Sequence, residues 1–233
     1  CGYIARQPGR QTRSAVRSNL NLGSNEPLVL VTPGGGEDGY ALITACLEGL
    51  RALPASERPR THIVCGPEMA AAERQAITQA AKTLAQVSLQ DFSDDMMSLM
   101  AAADVVLSMG GYNTVCELLT MHKRAVVVPR MRPVLEQGIR AERMAARGLL
   151  RMLNPGHMTP ATLWQALLGE LADLAAGKPL PKLKSMHGLE LVTAAIFDFI
   201  GLAETTAAPQ RVAHAEHRLA VMREHTKDIP WHQ

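Results

Sequence analysis

The chain has 233 residues with 24 Lys and Arg against 22 Asp and Glu, and its formal charge of +2 lacks the basic excess typical of nucleic-acid-binding proteins. Apolar residues make up 47% of the chain, which is enough for a core and excludes disorder of the whole chain. Aromatic residues contribute only 3%, so the core must consist of Ala, Leu, Val and Met, as is typical of helices packed on a parallel sheet.

Six short apolar runs divide the chain, and helical patterns fill the gaps between them. The runs are rich in β-branched residues without polar alternation, which indicates strands covered on both faces. The alternation of strands with helices along the chain predicts an α/β fold, namely an open, doubly wound, Rossmann-like parallel sheet of about six strands. The predicted strands are Leu28–Val31, His62–Cys65, Val87–Leu89, Val105–Ser108, Ala125–Val128 and Leu150–Leu153. The predicted helices are Tyr40–Leu53, Pro67–Leu84, Asp94–Ala102, Asn113–Met121, Gln137–Arg147 and Pro160–Ala175.

The predicted sheet domain covers residues 28–178, and three further segments flank it. Residues 1–27 are expected to form a linker. It contains four arginines without neighbouring acids, Arg6, Arg10, Arg13 and Arg17. A solvated face is the favoured interpretation of this cluster, and contact with anionic lipid or phosphate is the alternative. Residues 179–202 contain one more predicted helix, Met186–Leu202, and residues 203–233 are expected to form a mobile tail.

Three internal cysteines lie in apolar stretches without CxxC spacing, which favours a reduced, cytoplasmic setting over a disulfide framework or a zinc site (Cys46, Cys65 and Cys116). No apolar run approaches the roughly 20 residues of a membrane span, and no signal peptide is visible. The expected location is cytoplasmic, with peripheral contact at the inner membrane face as the alternative. Because the first residue is Cys1 rather than Met, we expect that a segment upstream is missing.

The stretch Met109–Glu117, MGGYNTVCE, joins a predicted strand to a helix at the end of the sheet where ligands bind. Gly110 and Gly111 leave bare amides at the helix N-terminus, which form an anion site because the helix dipole adds to the amide donors. Asn113 or Thr114 is suited either to cap the helix or to contact the anion, and Glu117 is placed to accept hydrogen bonds from a ribose diol. A tight turn with a surface glutamate is the alternative interpretation.

A second glycine-rich loop, TPGGGED at residues 32–38, follows the first predicted strand. Gly34, Gly35 and Gly36 permit close backbone approach to a ligand, and Asp38 is suited to cap the next helix. The loop lacks the GK[ST] of a Walker motif and the GxGxxG dinucleotide fingerprint, so a merely flexible loop is the alternative.

Two more loops end at the same edge of the sheet. In residues 91–95 the pair Phe92 and Ser93 is expected beside a nucleobase, whereas Asp94 and Asp95 are expected to start a helix rather than to bind a metal. In PRMRPVLEQGIR, Glu136 and Gln137 are suited to sugar hydroxyls or to capping, and two arginines either balance a diphosphate charge or are solvated (Arg130 and Arg132). His122 and Lys123 follow a helix and therefore lie at the opposite end of the sheet.

The segment DFSDDMMSLMAAADVVLSMGGYNTVCELLTMHKRAVVVPR, followed by EQ and RAERMAARG, resembles the C-terminal domain of GT-B glycosyltransferases related to family 28. That family includes the N-acetylglucosaminyltransferase of the lipid-linked peptidoglycan precursor. The resemblance runs from about Leu28 to Leu153, and it is strongest to bacterial glycosyltransferase-like proteins with a GGYNTVCEL motif.

The resemblance implies a role for each matching loop. Gly110, Gly111, Asn113 and Thr114 would hold the diphosphate of a nucleotide-sugar donor, and Glu117 would hold its ribose. Phe92 and Ser93 would border the base, Glu136 and Gln137 would contact the sugar, and the three glycines Gly34, Gly35 and Gly36 would line the cleft. No metal or other cofactor is implied, because amide donors and a helix dipole stabilise the leaving diphosphate in this class.

One departure from the family limits the predicted activity. The acceptor-binding N-terminal domain, which commonly supplies the catalytic base, is absent from this sequence, and the strand-end loops offer no convincing general base. We therefore expect a donor domain that binds a nucleotide sugar but cannot transfer the sugar without a further domain. The sequence does not identify the acceptor. The alternatives are a GT-B-fold nucleotide-sugar epimerase or hydrolase, and a non-catalytic nucleotide-sugar-binding domain.

Overall fold

A computed structural model describes residues 3–4, 6–23, 25–183 and 186–200. It divides into two compact units, Arg6–Lys184 and a smaller one that combines Cys1–Ala5 with Ser185–Gln233. The predicted tail at residues 203–233 and the end of the predicted Met186–Leu202 helix lie outside the described residues.

The larger unit contains a six-stranded, wholly parallel sheet in the order β3-β2-β1-β4-β5-β6. This confirms the predicted doubly wound α/β fold. The strands are β1 Leu28–Thr32, β2 Arg60–Val64, β3 Val87–Gln90, β4 Val105–Ser108, β5 Arg124–Val127 and β6 Arg151–Met152. Three of the four interior strands, β1, β4 and β5, are buried along their whole length, as is typical of strands covered on both faces.

Seven α-helices of the larger unit connect or flank these strands: α1 Arg13–Asn19, α2 Tyr40–Ala52, α3 Ala71–Ala81, α4 Met96–Ala102, α5 Tyr112–Thr120, α6 Glu136–Ala145 and α7 Pro160–Ala175. Short 3-10 helices lie at Ala55–Glu57 and Pro155–His157. Helices α2, α3 and α7 form one packed group, and α1, α4 and α5 form another. No helix in the part of the chain that the structure describes has the length and apolar character needed to span a bilayer.

The main core lies where α2 and α7 pack together and α7 meets β4 and β5. Trp164 on α7 is its largest fully buried side chain, and its indole Nε1 donates a hydrogen bond of 2.7 Å to the carbonyl of Cys46 on α2. Gly49 makes this close approach possible, because a Cβ there would fall 2.2 Å from Cδ1 of Trp164. The indole therefore satisfies its polar group within an otherwise apolar interface.

The smaller unit contains α8, Gly188–Phe199. The chain preceding α8 forms an antiparallel bridge between Ile4 and His187, and the amide of Gly188 donates 3.0 Å to the carbonyl of Tyr3. Leu189, Ile196 and Phe199 on α8 are exposed large apolar residues.

The arginines of the predicted linker pair with acids, and three of the four are exposed, as expected of a solvated face, whereas Arg17 is buried. The segment contains α1, which packs on α4. Arg13 and Arg17 both pair with Asp104, at 2.6 and 3.3 Å, and Arg17 is only 5% exposed. Arg10 pairs with Asp94 at 2.7 Å. The acids come from distant parts of the sequence, so local composition does not reveal them.

Candidate functional site

The strand order reverses between β1 and β4, and a cavity of about 470 Å³ opens at the carboxyl ends of the strands there. Open parallel sheets bind ligands at such a switch point because the loops on either side diverge and leave a crevice. Loops after five consecutive strands of the chain line this donor cleft, as we call it: Thr32–Asp38, Val64, Pro67, Glu68, Phe92, Ser93, Met96, Met109, Gly111–Thr114, Glu117, Arg130 and Gln137. The structure thus brings most of the predicted site residues into one cavity.

The glycine-rich loop after β1 is held by the backbone of the neighbouring loop after β2. Gly36 has φ +102°, and a Cβ there would fall 2.5 Å from the carbonyl of Cys65. The amide of Glu68 donates 2.8 Å to the carbonyl of Gly35. Gly36 is therefore required for close packing between the two loops. Asp38 does not cap α2, because Gly39 is the N-cap and no side chain caps this helix.

The turn between β4 and α5 exposes the N-terminus of the helix. Gly110 adopts φ +77°, and Gly111 is the N-cap residue without a side-chain capping bond, so the predicted capping role of Asn113 is wrong. The amides of the first helical turn therefore remain available to an anion. From α6, Arg140 donates 3.1 Å to the carbonyl of Gly110 and lies 5.4 Å from the centre of the Tyr112 ring, which fixes the turn.

Glu117 lies on α5 one turn beyond that N-terminus and lines the donor cleft. Its side chain is only 13% exposed, and burial raises the pKa of its carboxyl. Arg6, whose Nη2 is 3.6 Å from Oε1 of Glu117, acts in the opposite direction by stabilising the charged form. The carboxylate is thus partly desolvated and has acceptor capacity beyond this long ion pair.

The loop between β5 and α6 contributes an ion pair that reaches across the cleft. Nη1 of Arg130 lies 2.7 Å from Oδ2 of Asp38 in the glycine-rich loop. The side-chain oxygen of Gln137 accepts a 3.1 Å hydrogen bond from the amide of Arg130, which fixes its orientation. Glu136, by contrast, pairs with Arg140 one turn along α6 and is not among the residues that line the cleft.

The loop between β3 and α4 borders the other end of the cleft. The Phe92 ring is 54% exposed, and its carbonyl accepts 2.7 Å from the side chain of Gln90. The hydroxyl of Ser93 accepts a 3.2 Å bond from the amide of Asp95. Asp95 is also the N-cap of α4, and its side chain accepts a hydrogen bond from the amide of Ser98.

Glu68 and Tyr112 were not predicted as site residues, and Asp38 was predicted only to cap a helix, yet all three line the cleft. Glu68 follows the Gly66-Pro67 loop, so its position at a strand's carboxyl end was the available signal. Among the described residues no three His, Cys, Asp or Glu side chains come together as metal ligands.

Fold and site together define an α/β domain with a helix N-terminus that no side chain caps at a topological switch point. Residues 28–183 match the glycosyltransferase family 28 C-terminal domain, so the chain belongs to this family. This confirms the resemblance noted in the sequence.

Individual relatives agree with that assignment. An uncharacterized glycosyltransferase of Methanopyrus kandleri is 28% identical over 76% of this chain and 46% of its own length. The UDP-N-acetylglucosamine–N-acetylmuramyl-(pentapeptide) pyrophosphoryl-undecaprenol N-acetylglucosamine transferase of Verminephrobacter eiseniae is 29% identical over 88% of this chain and 53% of its own. The MurG crystal structure from Acinetobacter baumannii shares the fold, with a TM-score of 0.56, 22% identity, and coverage of 81% of this chain and 53% of that one. The chain spans about half the length of the curated relatives that it matches.

Proposed function

We propose that this chain is the donor-binding domain of a glycosyltransferase and binds a nucleoside diphosphate sugar for transfer to an acceptor hydroxyl. The observation that carries the proposal is the uncapped N-terminus of α5, which opens into the cleft at Gly111, Asn113 and Thr114. Amide donors and the helix dipole at such a site favour a diphosphate, which carries the negative charge that develops on the leaving group. The cleft volume of about 470 Å³ lies within the range of small-molecule sites.

The remaining contacts of the donor follow from the order of the loops. In the proposed complex Glu117 accepts hydrogen bonds from both ribose hydroxyls, a role that suits a partly buried carboxylate. The exposed Phe92 ring and the backbone beside Ser93 border the base, and the amide group of Gln137 contacts the sugar. We leave Glu136 out of the sugar contacts, because its pairing with Arg140 directs it away from the residues that line the cleft.

The chemistry proposed for this domain needs no metal, since helix N-terminal amides supply the stabilisation of the leaving diphosphate. The catalytic base and the acceptor site are proposed to lie outside this chain, which spans about half the length of its relatives. The chain alone would then bind a donor without transferring its sugar. The relative from Verminephrobacter eiseniae is named for a pyrophosphoryl-undecaprenol acceptor, so we propose a cytoplasmic enzyme working at a membrane surface on a lipid-linked acceptor.

Isothermal titration calorimetry with UDP-N-acetylglucosamine and dTDP-glucose tests the donor proposal. We expect one of the two sugars to bind. Glu117→Ala should weaken binding of UDP-N-acetylglucosamine by about 10- to 100-fold, because both ribose hydroxyls lose a charge-assisted hydrogen bond, and binding of dTDP-glucose by less, because its deoxyribose has only the 3′-hydroxyl. Inorganic pyrophosphate, which has no ribose, should bind the variant at least as tightly as the unaltered chain, because the substitution also removes a negative charge from the cleft. Glu142→Gln, an exposed acid on α6, is the control for a general charge effect.

Two outcomes would contradict the proposal. If neither nucleotide sugar nor free UDP or dTDP binds, the chain is not a donor domain. If they bind but Glu117→Ala leaves the affinity unchanged, the ribose does not lie on α5. An epimerase or hydrolase would bind the same donors, and is distinguished by the release of epimer or free sugar in the absence of an acceptor.

A further inference from the structure

Arg130 and Asp38 come from loops on either side of the anion-binding helix. Strand β4 lies between β1 and β5, with Thr32 of β1 beside Ser108 of β4, and Ser108 beside Val127 of β5. Since neighbouring strands are about 4.8 Å apart, the loops after β1 and β5 are separated by roughly 10 Å, with the start of α5 between them. The 2.7 Å ion pair between Arg130 and Asp38 therefore spans the place where α5 begins.

The charges that line the cleft are unfavourable to a diphosphate. Of the described lining residues, Arg130 alone is positively charged, against four carboxylates: Glu37, Asp38, Glu68 and Glu117. Arg6, near Glu117, lies outside the lining. The helix N-terminus contributes only a fractional positive charge, so a dianion that enters this cleft requires a further cation. Arg130 is the group in position to supply it.

The pairing of Arg130 in the structure is incomplete. Its Nη1 is bonded to Asp38, whereas its Nε is shielded from solvent and has no hydrogen-bond acceptor among the described residues. A guanidinium presents paired donors that match two oxygens of a phosphate group. The Asp38 side chain is 46% exposed, and ion pairs with exposed partners are weak. Arg130 can therefore give up its bond to Asp38 when a stronger acceptor is present.

We propose that Arg130 exchanges Asp38 for the diphosphate of the donor: Asp38 holds the guanidinium in the empty cleft, and Arg130 becomes the counter-ion of the diphosphate when the donor binds. This inference rests on the proposed function. It makes Arg130 a determinant of affinity for the leaving group and Asp38 its competitor. A substitution of each residue therefore changes diphosphate affinity in opposite directions.

The experiment measures the affinity of UDP by titration calorimetry for four forms of the chain: unaltered, Arg130→Gln, Asp38→Asn and the double variant. Arg130→Gln should weaken binding by about 10- to 100-fold, as expected for loss of a charge-assisted pair. Asp38→Asn should tighten binding by about two- to fivefold, which corresponds to an exposed ion pair. In the double variant the effect of Asp38→Asn should largely disappear, because the competition requires Arg130.

Arg132→Gln is the matched control, since it removes the same charge two residues further along from a side chain that is exposed and does not line the cleft. It should leave the UDP affinity within about twofold, which is the scale of screened surface charges. Thermal unfolding of each variant confirms that its fold is retained.

If the unaltered chain binds UDP but Arg130→Gln binds it equally well, the exchange is refuted and the donor proposal stands. If Asp38→Asn weakens UDP binding as much as Arg130→Gln does, Asp38 positions Arg130 rather than competing for it, and the exchange is also refuted. If neither UDP nor dTDP binds to the unaltered chain, the donor proposal is refuted, and this inference with it.

Discussion

Alanine in place of Gly111 separates the role of the α5 N-terminus in binding from its role in folding. Gly111 has φ −55° and ψ 154°, which alanine adopts without strain, and no protein atom lies within 4 Å of an added Cβ. Alanine is the poorer N-cap by about 0.5–1 kcal/mol, but replacing glycine stabilises by about 0.4–1 kcal/mol through the unfolded chain. The two effects nearly cancel, so the free energy of unfolding should change by less than about 0.5 kcal/mol.

Binding should respond far more strongly than folding. Because Gly111 lines the cleft, the added methyl group occupies space that a phosphate must enter to approach the helix amides at about 2.9 Å. Loss of one charge-assisted hydrogen bond is worth about 1.5–3 kcal/mol, so the dissociation constant of UDP should rise by about 10- to 100-fold. Titration calorimetry measures this rise, and urea denaturation of the same preparation measures stability.

Gly169→Ala on α7 is the control, because its Cβ would meet only Nη2 of Arg151, at 3.8 Å, and Gly169 does not line the cleft. It should leave UDP affinity unchanged. A folded Gly111→Ala variant that binds UDP as tightly as the unaltered chain would refute the reasoning, because the diphosphate then cannot lie against this helix N-terminus.

Three further predictions concern stability. Glu170 accepts hydrogen bonds from Arg124 at 3.1 Å and Arg151 at 2.8 Å, so Glu170→Ala should cost about 3–5 kcal/mol in urea denaturation by leaving Arg124 buried without its carboxylate. Gly49→Ala should cost about 1–3 kcal/mol, because its Cβ would overlap the Trp164 ring, and a red-shifted tryptophan emission should accompany the loss. Burial lowers the pKa of Lys123 to about 8. From about pH 8 to 10.5 the unfolded chain therefore binds more protons there, and stability should rise by up to about 3 kcal/mol relative to Lys123→Met.

Each of these has an outcome that contradicts it. Asp173→Ala is the control for Glu170, since Asp173 pairs only at the surface of the same network, and equal losses would show that burial is not the cause. For Gly49, an unchanged unfolding midpoint would mean that α2 and α7 separate readily. For Lys123, parallel pH profiles of the variant and the unaltered chain would show that its pKa is the same in the folded and unfolded states.

The strands were predictable because a strand of a parallel sheet is buried on both faces and therefore appears as an apolar run. Val105–Ser108 was predicted with the bounds that β4 has. Strand β5 begins one residue earlier than predicted, at Arg124, because a charged residue does not extend an apolar run. Its burial depends on Glu170, 46 residues away. The sequence pattern cannot show such a pairing.

The errors in the helices have a similar origin. The predicted helix at Pro67 begins at Ala71 instead, because the intervening turn hydrogen-bonds to the glycine-rich loop. Helix α1 was not predicted, because seven residues provide only one strongly buried apolar side chain, Val16. The acid that pairs with both of its arginines, Asp104, lies more than 80 residues away.

In the site, the glycines were predictable and the charged side chains were not. A glycine at a strand-to-helix turn reports a backbone requirement that is local, as Gly110 with its φ of +77° illustrates. Whether a carboxylate lines the cleft depends on which partner lies near it in the fold. Glu136 was predicted to contact the sugar and pairs with Arg140 instead, whereas Asp38 was predicted to cap a helix and pairs with Arg130 across the cleft.

The same difference between backbone and charged side chains explains how the cleft can have a fixed backbone and still respond to a ligand. Its floor is backbone: Gly66 donates 2.9 Å to the carbonyl of Asp91, Glu68 donates to Gly35, and a Cβ on Gly36 would overlap Cys65. Three adjacent strands, β1, β2 and β3, anchor the loops that make these contacts, and Arg140 holds the turn before α5, so the amides at the start of α5 are positioned before an anion arrives. The charges lie on side chains at the rim, where the Arg130 pair is partly exposed. In the proposed complex, a donor therefore has to move a guanidinium, and not a loop, to complete its site.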